Sequence, residues 1–79
     1  MRILDGTSDN ALTDVYIYLT IEEAKEMLDS LAALLEKPDN NHTHIDDNEY
    51  KHEITISIYT EDNIKYFNKR SQKLILEDK

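Results

Sequence analysis

Residues 20–37, TIEEAKEMLDSLAALLEK, decide how this chain folds. Thr20-Ile21-Glu22-Glu23 fits a capping box: the Thr20 hydroxyl accepts from the Glu23 amide, and the Glu23 carboxylate reaches back to the Thr20 amide. Acids in the first turn also suit the positive end of a helix dipole. At about 100° per residue, Ile21, Ala24, Met27, Leu28, Leu31, Ala32 and Leu35 fall on one stripe. Glu22, Glu26, Asp29, Ala33 and Glu36 fall on the other side. Lys37 complements the negative end, and Pro38 disfavours helix at the residue before it. The pattern predicts an amphipathic helix over 20–37 whose stripe, with Leu28, Leu31 and Leu35, faces the core.

Strand signals flank this helix. In 14–19, Val15, Ile17 and Leu19 alternate with Tyr16 and Tyr18, the period of a half-buried strand. In 51–60, Ile54, Ile56 and Ile58 alternate with Glu53, Thr55, Ser57 and Tyr59, and this is the strongest strand pattern in the chain. Residues 2–5 read as a short edge strand, followed by a turn at 6–10. Gly6, the chain's one glycine, supplies conformations that other residues reach at a cost. Pro38-Asp39-Asn40-Asn41 reads as a loop, 42–45 as a short strand, and Asp46-Asp47-Asn48-Glu49 as a hairpin turn. Residues 62–70 fit either a short second helix or, over 64–67, another strand, and 73–77 read as a closing strand. The expected fold is α+β: an antiparallel sheet of four or five strands with one long helix, 20–37, packed on one face. Ile54, Ile56 and Ile58 then meet the helix stripe, and the other sheet face is largely open.

Length and composition bound the rest. A chain of 79 residues is expected to form a single domain, 1–79, with a small core and modest stability. It has no cysteine, which excludes disulfides and thiolate metal sites and favours a reducing, cytoplasmic setting. Its first residues lack the apolar run of a signal peptide, and no segment approaches the roughly 20 apolar residues of a membrane span, so no membrane association is expected. The net charge is −8. Residues 1–50 carry twelve acids and three bases, whereas residues 51–79 carry five acids and six bases. An acidic front half repels phosphate backbones, which argues against a nucleic-acid partner. It would attract a basic protein.

Three residue groups are candidates for chemistry or binding. In an extended strand His42, His44 and Asp46 project to one side, a spacing usable by zinc if His52 or Glu53 supplied a further ligand. The competing reading is an exposed polar hairpin, and no metal or cofactor is expected. The chain has no glycine-rich phosphate loop and no Gly-x-Ser-x-Gly elbow, and one helix on an open sheet offers little of the concave pocket that catalysis uses. An enzyme is therefore not expected. Tyr16, Tyr18 and Tyr59 point away from the expected core and suit an interface, since a tyrosine buries its ring while its hydroxyl stays satisfied. Glu22, Glu26 and Asp29 form an acidic row on the helix, the second candidate partner surface.

The succession of the 14–20 strand into Ile21-Glu22-Glu23-Ala24, then His42-Thr43-His44-Ile45, then Glu53-Ile54-Thr55-Ile56-Ser57-Ile58-Tyr59, resembles small acidic bacterial immunity proteins of polymorphic toxin systems. The resemblance implies a non-enzymatic inhibitor that binds a basic toxin or effector, steered by charge. It transfers no residue as a toxin contact. The leading expectation is thus a protein-binding module acting through acidic and tyrosine-bearing surface. The alternatives are a small metal-binding or accessory domain using His42, His44 and Asp46, and a structural homodimer.

Overall fold

The computed structural model describes residues 1–37, 42–47, 49 and 51–79. The expected loop at 38–41 and residue 48 of the expected hairpin turn lie outside the described residues. The chain divides into two compact units, residues 1–17 with 60–79, and residues 18–59.

In the 18–59 unit, helix α1 spans Ile21–Glu36, with Thr20 as N-cap and Lys37 as C-cap. The capping box forms as its sequence requires: Thr20 Oγ1 accepts from the Glu23 amide at 3.1 Å and Glu23 Oε1 from the Thr20 amide at 2.9 Å. At the far end the Lys37 amide donates to the Ala33 carbonyl. The other unit holds strands β1 (Ile3–Leu4) and β2 (Ala11–Leu12); here two more follow the helix, β3 (His42–Asp46) and β4 (Glu53–Ser57). They pair antiparallel with Ile45 opposite Ile54, Thr43 opposite Ile56 and His44 opposite Thr55. This register puts Thr43, Ile45, Ile54 and Ile56 on one face, and α1 packs along β3. The face is what the alternating isoleucines dictate. Among the described residues of the unit, Leu34 and Ile45 are the buried core, 4% and 3% exposed.

The helix is rotated from the orientation its apolar stripe predicts. Glu23, Met27, Ser30, Leu31 and Leu34 are its covered positions, whereas Leu28 and Leu35, expected in the core, are exposed. Ile54, Ile56 and Ile58 are half-buried. The physical reason is width. A two-stranded hairpin covers a narrower arc of helix than a broad sheet would, so only part of α1's apolar surface is covered, centred on Leu34.

In the other unit, β1 (Ile3–Leu4) pairs antiparallel with β2 (Ala11–Leu12). Asp5 builds the connection, its carboxylate accepting from the Thr7 amide at 2.9 Å and the Ser8 hydroxyl at 2.8 Å. These donors, the Thr7 amide first, hold the Asp5 carboxyl below its ordinary range. The left-handed conformation that the turn needs falls on Asp9 (φ 66°), not on Gly6 as expected. Aspartate is among the non-glycine residues that tolerate this region. Helix α2 spans Lys69–Glu77, with Leu74 buried. Asn68 caps it, Oδ1 accepting from the Ser71 amide at 2.7 Å. Arg2 closes its other end, Nε donating to the carbonyls of Leu74 (3.0 Å) and Ile75 (3.2 Å).

Several expectations are corrected here. The described strands form two separate two-stranded sheets rather than one sheet of four or five. Residues 14–19 form no strand, and Val15, Ile17 and Leu19 are exposed. Their alternation fits a pleated surface, but strand preference is realised only against a pairing neighbour, and no described strand pairs with them. The strand expected over 51–60 is trimmed to Glu53–Ser57. The closing strand at 73–77 is instead part of α2, because a three-residue apolar run reads equally as helix and Asn68 supplies the cap that decides it. Residues 62–70 contain a 3-10 turn, Ile64–Tyr66, and the start of α2. Before that turn Thr60 and Asn63 bond reciprocally, amide to side chain, at 2.7 and 3.2 Å.

Candidate interaction surface

The outer face of the β3–β4 hairpin is polar, as the alternation requires. His42 and His44 share it, their rings edge-on with centroids 5.1 Å apart. Across the strands, His44 Nδ1 lies 2.9 Å from both Glu53 Oε1 and Thr55 Oγ1, and the Thr55 hydroxyl donates to Glu53 at 3.2 Å. Asp46 lies directly opposite Glu53 in the register. His52, the other ligand considered from sequence, is drawn away to Asp47, with Nδ1 2.6 Å from Oδ2. Among the described residues no group of three or more histidines and carboxylates is placed to hold a metal ion. His42, His44 and Asp46 share this strand face, and His44 with Glu53 and Thr55 forms a polar assembly across the hairpin.

Asp47 belongs to the hairpin's end rather than to that face. Its carboxylate takes the His52 ring nitrogen and the Lys51 amide, the latter at 2.8 Å. The His52 hydrogen bond, chiefly, holds the Asp47 carboxyl below its ordinary range.

Tyr16, Tyr18 and Tyr59 do not sit on strands. Tyr16 belongs to the 1–17/60–79 unit, while Tyr18 and Tyr59 belong to the 18–59 unit, just before α1 and just after β4. Tyr16 is 79%, Tyr18 88% and Tyr59 41% exposed. Glu22, Glu26 and Asp29 are likewise exposed and lie together on α1, at spacings of four and three that keep them on one side of the helix.

Sequence reasoning missed the apolar strip beside that acidic row. Ile21, Leu28 and Leu35 are 76%, 67% and 69% exposed. Their seven-residue spacing is visible in the sequence, but spacing alone assigns them to the core with the rest of the stripe. Beyond this, Ser30, Ala33, Leu34, Lys37, His42 and Thr43 line a small depression of about 120 Å³, well below the roughly 300–1,000 Å³ typical of ligand pockets. Among the described residues no helix is long and apolar enough to cross a membrane.

The chain matches no family model, and no curated protein or solved structure is similar to it at a significant level.

Proposed function

We propose that this chain is a non-enzymatic protein-binding module of the immunity type, which masks a basic toxin or effector with its acidic, tyrosine-bearing surface. The observation that carries this reading is the placement of charge. Residues 18–59 hold ten acids and three bases, a net charge of −7 out of −8 for the whole chain. Glu22, Glu26 and Asp29 present that charge on the exposed side of a capped helix. A concentrated field of one sign speeds encounter with an oppositely charged partner and disfavours wrong ones. Tyr18 and Tyr59 in the same unit, and Tyr16 in the other, offer exposed aromatic area of the kind that anchors interfaces.

The test is affinity purification of the tagged chain from its native cells after crosslinking, in parallel with a Glu22→Lys/Glu26→Lys/Asp29→Lys variant. The reading expects one stoichiometric basic protein, lost in the charge-reversed variant. Recovery of the same partner at undiminished yield by the variant would remove the acidic surface from the account.

A further inference from the structure

The exposed apolar residues of α1 follow a strict order. Ile21, Leu28 and Leu35 recur every seven residues, with Ala24 exposed and Leu31 half-buried between them. On a helix this is the a/d seam that receives a second helix, and it runs for about 21 Å from Ile21 to Leu35. One border of the seam is already used, because Leu34 and its neighbours face the hairpin. On the other side stand Lys25 and Ala32, and beyond them the acids Glu22, Asp29 and Glu36, which recur every seven residues themselves; all five are exposed.

Building on the proposed function, we infer that this seam is a docking groove for a basic amphipathic helix of the partner protein. The partner's apolar stripe would lie on Ile21, Leu28 and Leu35, and its lysines or arginines would lie along the Glu22/Asp29/Glu36 row. Charge selects this occupant over a second copy of the chain. A copy would bring its own acidic row and the −7 charge of residues 18–59 against the same field, and like charges along a helix seam oppose pairing. A basic helix meets both demands at once, removing the apolar strip from water and neutralising the acids beside it.

The experiment uses the full chain and two labelled synthetic peptides of about eighteen residues, the length of helix that covers the seam with a turn to spare. One carries leucine at a and d and lysine at the flanking positions; the other has the same composition in scrambled order. Fluorescence anisotropy should show the patterned peptide binding at least about tenfold tighter than the scrambled one. Ile21→Gln/Leu28→Gln/Leu35→Gln should abolish that advantage while keeping the parent's helical circular dichroism. Leu28→Gln alone, which removes a single exposed side chain, should reduce it in the same direction. Equal binding of the two peptides by the parent would overturn helix docking and leave the acidic-surface reading standing. Undiminished binding of the patterned peptide by Glu22→Lys/Asp29→Lys/Glu36→Lys would overturn the acidic reading itself. Failure of the patterned peptide to bind, or a dimer in sedimentation that the triple glutamine variant dissolves, would also overturn the inference, the latter because the occupant would be a second copy.

Discussion

Leu34→Ala and Leu28→Ala, six positions apart on one helix, should have very different consequences for stability. Replacing leucine by alanine removes three carbons. At about 0.8 kcal/mol for each buried methylene-sized group, the transfer loss for a fully covered side chain is about 2.4 kcal/mol. Leu34 is 4% exposed and faces the hairpin that carries Ile45, so a residual cavity adds to that loss. About 2.5–4 kcal/mol is expected. Leu28 has only a third of its surface covered, which scales the transfer loss to about 0.8 kcal/mol. It leaves no cavity, and the slightly better helix propensity of alanine recovers a few tenths, so about 0.5 kcal/mol is expected. Urea unfolding followed by far-ultraviolet circular dichroism reads both, as shifts of midpoint at constant slope. Against the modest stability of a 79-residue chain, the Leu34 variant should lose a large share of its transition and the Leu28 variant little. If Leu28→Ala destabilises as much as Leu34→Ala, the helix face assigned to the core is wrong, and so is the exposed seam.

Three further outcomes follow from the contacts. Thr20→Ala removes the hydroxyl half of the α1 capping box and should destabilise by about 1 kcal/mol, read from the same urea transitions. Arg2→Ala withdraws a charged donor from two carbonyls at the end of α2 and should lower stability by about 1 kcal/mol, visible as earlier loss of amide-exchange protection in 69–77. Asp47 has a depressed carboxyl pKa in the fold, so its contribution is present above its ordinary value near 4 and is lost as pH falls through the folded value. Parent and His52→Ala stabilities, measured by urea titration at a series of acid pH values, should therefore differ above about pH 4 and converge below it. A gap that widens on acidification would contradict the assignment.

How much of this was legible in the sequence depends on which interactions were local. The α1 capping box needs only residues 20–23, and it forms as read. The alternation at Ile54 and Ile56 fixes which way β4 faces whatever it pairs with, and the histidines of β3 fall on the opposite, polar side as expected. What failed depended on neighbours that one sequence does not name. Residues 14–19 carry a strand pattern but pair with no described strand. The run Leu74-Ile75-Leu76 fits either period, and Asn68, whose cap decides it, lies in a segment whose pattern fits helix or strand. Leu28 and Leu35 belong to the apolar stripe by spacing, yet only the width of the hairpin determines that Leu34 is covered in their place. Glu22, Glu26 and Asp29 are exposed, as their spacing opposite the apolar stripe implies, whereas Ile21, Leu28 and Leu35, which spacing assigns to the core, are exposed too.

On the proposed reading α1 has two working faces, one holding the hairpin and one open to a basic partner helix. Amide chemical-shift mapping of the isotopically labelled chain, titrated with the patterned basic peptide, tests it most directly. Shifts should concentrate at 21, 22, 28, 29, 35 and 36, with the amides of Leu34, Ile45, Ile54 and Ile56 nearly unmoved. Shifts centred instead on His42, His44 and Thr55, or spread evenly over every acidic residue, would contradict it.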